Sequence, residues 1–135
     1  MRHRWRWPED TERGSVVAEF VMVTALLTAL TLAVLQLALA LHIRNTVLDA
    51  AAEGARYAAL ADSGLDRGAA RSRDLITAVL GPAYATEVSA SYTEVAGQPG
   101  VRVRVLAPLP VFGLLGMTRG LEVEGHAVVE GLDDE

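Results

Sequence analysis

The chain has 135 residues, a net charge of -5 and no cysteine. That size allows one small domain, the missing cysteines exclude disulfides and thiolate metal sites, and the acidic balance argues against nucleic acid as partner. All twelve basic side chains are arginine, and half the residues are apolar but unevenly placed.

The first segment, residues 1–14, reads as a basic leader. Arg2, Arg4, Arg6 and Arg13 alternate in part with Trp5 and Trp7. Arg13-Gly14-Ser15 then leads into a long apolar run that carries one early acid, Glu19, followed by Phe20. From Phe20 to Leu41 there are 22 consecutive residues with no charge, glycine or proline. About 20 such residues cross the roughly 30 Å of a bilayer's hydrocarbon, so residues 15–41 are assigned as a transmembrane segment. An ionisable side chain at the edge of such a run is read as functional. The run is too long and too uniformly apolar for a buried core helix. It is also longer than a signal-peptide core, although Ala38-Leu39-Ala40 has the form of a cleavage site. Four arginines precede the span and only Arg44 and Arg56 follow closely, which places the N-terminus in the cytoplasm and the rest outside. Ala25, Ala29, Ala33, Gln36 and Ala40 recur at three or four residues and form a small-residue stripe suited to helix packing in lipid.

The helix is expected to continue past the span through residues 42–60, from about Val16 to Leu60 in all. No glycine or proline occurs between Ser15 and Glu53. Glu53 and Arg56 pair at i,i+3, while Ala51, Gly54, Ala55 and Ala58 make a smooth face for close packing. Residues 61–130 form a head. Its first part, Asp62 to Gly68, reads as a loop. A second helix is predicted from Ala69 to Leu80, with Leu75, Ile76, Val79 and Leu80 on its apolar side and Gly81-Pro82 ending it.

The remainder alternates with period two. Val88, Ala90 and Tyr92 mark a strand over Glu87–Thr93, and Ala96 to Gly100 reads as a turn. A second strand covers Val101–Val105, and Pro108 and Pro110 interrupt the chain before an apolar loop, Val111–Met117. A third strand covers Leu121–Val129, whose Glu122 and Glu124 would face Arg102 and Arg104 if the last two strands pair. The tail, residues 131–135, is acidic. The fold class is therefore α+β: a long N-terminal transmembrane helix continuing into an extracytoplasmic head with a second helix and a small antiparallel sheet of about three strands.

Nothing in this pattern assembles a catalytic centre. His3, His42 and His126 are scattered without metal-ligand spacing, no nucleophile motif surrounds a serine, and no glycine-rich phosphate loop occurs. No enzyme activity, cofactor, metal or small-molecule substrate is expected.

Two motifs carry a family resemblance. Arg13-Gly14-Ser15-Val16-Val17-Ala18-Glu19-Phe20, with Glu five residues past the glycine and ahead of a long apolar helix, resembles the processing site of type IV prepilins. Its Glu-Phe pair is similar to that of the tight adherence (Tad) branch. Ala51-Ala52-Glu53-Gly54-Ala55-Arg56-Tyr57-Ala58-Ala59 resembles the segment after the span in TadE-like proteins, as do Pro108-Leu109-Pro110 and the final strand. The resemblance implies a minor pilin or pseudopilin of a Tad-type pilus or related secretion apparatus. A prepilin peptidase would cut between Gly14 and Ser15, the new amine would be methylated, and Glu19 would pair with the amine of a neighbouring subunit. The implied partners are the membrane, the prepilin peptidase, other pilin subunits and Tad inner-membrane assembly proteins. Two other readings stand beside it: a membrane-anchored extracytoplasmic binding domain outside any pilus, and a secreted protein released after Ala40.

Overall fold

The computed structural model describes residues 9–60, 63–109 and 120–129, with side chains from residue 11 onward. The expected leader features at Arg2–Trp7, the apolar loop Val111–Met117 with Pro110, and the acidic tail lie outside the described residues. The architecture is α+β. Helix α1 covers Glu9–Ala59 and helix α2 covers Leu65–Leu80. A single 3-10 turn at Pro82–Tyr84 leads into strands β1 (Glu87–Val95), β2 (Gln98–Pro108) and β3 (Gly120–Val128). The strands form one antiparallel sheet in the order β1-β2-β3. Two compact units divide the chain, Met1–Leu37 and Ala38–Glu135.

The first unit is helical where it is described. Ala and Leu dominate it, both strong helix formers, and no proline interrupts it from Glu9 onward. Its large apolar side chains stand exposed, as a lipid-facing surface requires, Phe20 at 70 % and Leu26 at 69 %. The Thr31 hydroxyl donates to the Leu27 carbonyl at 2.8 Å, so it can enter hydrocarbon with its donor satisfied. α1 is long and apolar enough to cross a membrane, which fits a single-pass membrane protein. It begins at Glu9, ahead of the Val16 expected from composition. Gly14 falls inside the helix, where Glu12 places an acid in the opening turns, favourable to the helix dipole.

The second unit is a helical layer packed on the sheet. Its core gathers Ile43, Val47, Ala50, Ala51, Ala55 and Ala58 from α1, Ile76 from α2, and Val101, Val103, Val105 and Val123 from the sheet. The alternation of the valines supplies the sheet's inner face, since opposite partners such as Val105 and Val123 share a side. The outer face carries the expected charge ladder. Arg104 pairs with Glu122 and lies 4.0 Å from Glu124, which is 3.9 Å from Arg102 and 3.7 Å from His126. These groups are substantially exposed, so each pair contributes at most about 1 kcal/mol. The Arg73 guanidinium donates to the Val88 carbonyl at 3.4 Å, tying α2 to β1.

Three local expectations are corrected. α2 starts at Leu65, one turn before Ala69, because Gly68 is a contact residue and not a loop residue. A Cβ on Gly68 would lie 2.4 Å from the Ala58 Cβ and 2.7 Å from the Gly54 carbonyl oxygen. For the same reason the buried face of α2 is Gly68, Ala69, Ser72 and Ile76, with Leu75 and Leu80 flanking the core and Val79 exposed at 61 %. The turn after β1 is two residues, Ala96-Gly97, rather than five. Both have positive φ, 50° and 80°, which is the backbone twist that joins two antiparallel strands most tightly. Gln98, Pro99 and Gly100 already belong to β2. Pro99 is the second residue of that strand, and its carbonyl accepts from the Val129 N–H at 2.9 Å.

Candidate functional site

The candidate site residues read from the sequence all lie on α1, in two groups joined by the packing stripe. The first contains Gly14, Ser15, Glu19 and Phe20. Ser15 and Glu19 are one helical turn apart and share a face, with Phe20 beside them. All are exposed. A Cβ built on Gly14 meets nothing within 4 Å, so its own chain places no steric demand for glycine at that position. The packing stripe follows: Ala25, Ala29 and Ala33 are exposed, and Gln36 and Ala40 are partly covered.

The second group is the segment around Glu53, Gly54 and Arg56, and here the chain's own packing explains the composition. Glu53 and Arg56 point outward and approach to 3.9 Å, a surface pair worth a few tenths of a kcal/mol. Gly54 points inward and is buried. A Cβ there would stand 1.8 Å from the Ser72 hydroxyl and 2.6 Å from the Gly68 carbonyl oxygen. The two helices therefore touch backbone to backbone at Gly54 and Gly68. One residue pair further, the buried Ser72 hydroxyl donates to the Ala50 carbonyl at 2.9 Å. On the sheet side, β3 approaches the same stretch of helix just as closely. A Cβ on Gly125 would lie 2.4 Å from both the Ala51 carbonyl carbon and the Ala52 nitrogen. The alanines and glycine of this segment thus form a socket that receives α2 on one side and β3 on the other.

Gly68, Ser72 and Gly125 complete that socket and were not singled out from sequence. A usable signal existed for one of them: Gly125 interrupts the valine alternation of its strand, and an isolated strand glycine marks close backbone approach. Beside the socket, Thr46, Asp49, Glu53, Arg56, Leu75 and Val79 line an open groove of about 510 Å³. Among the described residues no group of three or more His, Asp or Glu side chains is placed to hold a metal ion. The described histidines stand apart, His42 on α1 and His126 on the outer face of β3. The geometry of this segment is one of close helix–helix and helix–sheet packing.

Residues 14–56 match the model of the TadE-like protein family. The matched span opens on Gly14 and closes on Arg56, so it contains both motifs and the apolar run between them. No curated protein and no solved structure shows a significant match to the chain.

Proposed function

From a TadE-like segment at residues 14–56, we propose that this chain is a non-enzymatic minor pilin or pseudopilin that takes part in assembling a Tad-type pilus or a related secretion apparatus. The observation that carries the reading is the pairing of Gly14 and Glu19 at the head of a membrane-length helix with the Glu53–Arg56 socket segment behind it. α1 holds the membrane, with the N-terminus in the cytoplasm and the sheet outside. The leader through Gly14 is removed by a prepilin peptidase, and Ser15 becomes the mature N-terminus. Glu19 then receives the amine of an adjacent subunit, and the small-residue stripe from Ala25 to Ala40 packs against other helices in lipid or in the filament. A carboxylate and an amine that enter hydrocarbon together cost far less than either alone, which favours one register of docking.

The open space around Gly14 makes the processing step testable without disturbing the fold. Gly14→Leu adds a side chain where the chain itself has room, so α1 and the sheet are expected to form normally. The peptidase, by contrast, must accommodate the new side chain at the scissile bond. The expected outcome is a membrane-inserted chain that keeps its leader, seen as the larger form in an immunoblot of cells expressing the peptidase. Complete processing of Gly14→Leu would remove the support for cleavage at this bond.

A further inference from the structure

β1 is an edge of the sheet, because the strand order is β1-β2-β3. One bond tells which of its backbone groups face outward. The Val129 N–H donates to the Pro99 carbonyl, so odd-numbered residues of β2 turn their N–H and C=O groups to β3 and even-numbered ones turn theirs to β1. Arg102 and Arg104 stand opposite Ser91 and Ser89. The odd residues of β1 therefore bond to β2, and Val88, Ala90, Tyr92 and Glu94 present their backbone groups to the open edge. The Arg73 guanidinium on the Val88 carbonyl agrees with this.

β1 lacks the devices that ordinarily protect an edge. Its pairing with β2 is continuous from Glu87 to Val95, without a bulge, and it has no proline and no charge from Val88 to Thr93. Its even side chains lie opposite Val101, Val103 and Val105, hence on the inner face of the sheet. Tyr92 is nonetheless exposed at 71 %. The other edge, β3, is protected by charge. Two β3 strands paired along their whole length would set Glu124 directly against Glu124, with Glu122 close by.

Two β1 strands paired antiparallel along their whole length are centred on Ser91, and here the partners match. Ala90 is opposite the second copy's Tyr92, and Val88 is opposite the second copy's Glu94. All four outward residues of each strand enter the ladder. Tyr92 gains a small cross-strand neighbour, and the two tyrosines become diagonal neighbours within ring reach. Neither Arg73 nor Glu94 has an ion-pair partner among the described residues. In this register the second copy's Glu94 arrives on the inner face beside Val88. Its N–H takes over the Val88 carbonyl, and its carboxylate meets the Arg73 guanidinium so released. Twofold symmetry repeats the exchange. Ala70 and Thr77 share the Arg73 side of α2 and are small, which leaves room for the second copy's helical layer.

We infer that the free edge of β1 is an interface between two copies of this chain, joined by antiparallel β1–β1 pairing centred on Ser91 into one six-stranded sheet. Every contact it uses lies within the unit Ala38–Glu135.

The chain has no cysteine, so Ser91→Cys and Ser89→Cys each give a single thiol. The purified full chain in detergent is mildly oxidised and run on a non-reducing gel. At Ser91 the two thiols form a non-hydrogen-bonded pair with Cα atoms about 4.5 Å apart, within disulfide reach. The two thiols at Ser89 lie four residues apart along the ladder, about 14 Å, and do not bridge. The expected result is a covalent dimer of Ser91→Cys at least tenfold more abundant than that of Ser89→Cys. Arg73→Glu or Glu94→Arg, each added to Ser91→Cys, is expected to lower the yield several-fold. Mixing those two variants restores it, because each chain then meets the opposite charge at both contacts. A Ser91→Cys yield no higher than that of Ser89→Cys would overturn the inference and leave the edge to a strand of a different protein. A mixture that cross-links no better than either variant alone would overturn it as well.

Discussion

Gly125→Val is expected to destabilise the sheet-bearing unit more than any other single-residue change in β3. The first atom of any side chain at Gly125 would fall 2.4 Å from the Ala51 carbonyl carbon and the Ala52 nitrogen. Those are backbone atoms of a helix, and no rotamer change can move them. β3 must lift, and with it Val123, which sits in the same core as Ala51, Ala55 and Val103. Overpacking ordinarily costs about 1–3 kcal/mol even where side chains can yield, so a loss at the upper end of that range is expected. For a domain of this size each kcal/mol lowers the melting temperature by roughly 4–8 °C. Gly120→Ala in the same strand is the control, since its nearest new contact is the Ala107 carbonyl oxygen at an ordinary 3.9 Å. Thermal unfolding of the full chain in detergent, followed by circular dichroism in the strand region, compares the two. A Gly125→Val melting point as high as that of Gly120→Ala would contradict the socket.

The second large effect is on assembly rather than stability. Glu19→Ala is expected to leave the chain folded, inserted and processed but to remove it from the assembled filament. Glu19 is exposed on α1 and its neighbours along the helix are apolar. An unpaired charge inside a membrane helix costs about 2.5–3.5 kcal/mol, so the alanine variant inserts at least as well as the natural chain. What it lacks is the acceptor for a neighbour's N-terminal amine. Removing one partner of a buried ion pair leaves the other uncompensated, at about 3–5 kcal/mol. At about 1.4 kcal/mol per factor of ten, docking weakens by roughly two to three orders of magnitude. Immunoblots of the sheared-pilus and membrane fractions read this directly. The variant is expected in the membrane fraction at the shorter, processed size and to be depleted from the sheared fraction. Equal amounts of variant and natural chain in the sheared fraction would remove the pairing role from Glu19.

These two glycines and one glutamate also show which parts of the molecule can be read from sequence. Elements governed by neighbours close in the chain are legible. The apolar run to Leu41, the helix through the alanines that follow, and the valine alternation of β2 and β3 each carry their own period. The pairing of Arg102 and Arg104 with Glu122 and Glu124 follows once those two strands are adjacent. Gly68 is illegible by the same means. Beside Asp62, Ser63, Gly64 and Asp66 it reads as a breaker, and only Gly54, 14 residues earlier and on another helix, makes it a contact residue. Gln98-Pro99-Gly100 reads as a turn because proline and glycine are turn formers, yet the two positive φ angles at Ala96 and Gly97 complete the reversal first. Val79 fits an apolar helix stripe, but the close crossing at Gly54 and Gly68 rotates α2 so that Ser72 and Ile76 face inward in its place. The candidate site divides the same way. Gly14 and Glu19 stand five residues apart and form a local motif. The partner proposed for Glu19 is another molecule, which no pattern within one chain contains.

On the proposed reading the leader is removed and Ser15 becomes the amine that docks. Mass spectrometry of the N-terminal peptide of the chain isolated from its own membranes tests it most directly. A peptide beginning at Ser15, with or without an added methyl group, is the expected result. A peptide still beginning at Met1 would contradict it and favour a permanently anchored domain, and one beginning at Leu41 would contradict it in favour of a released protein.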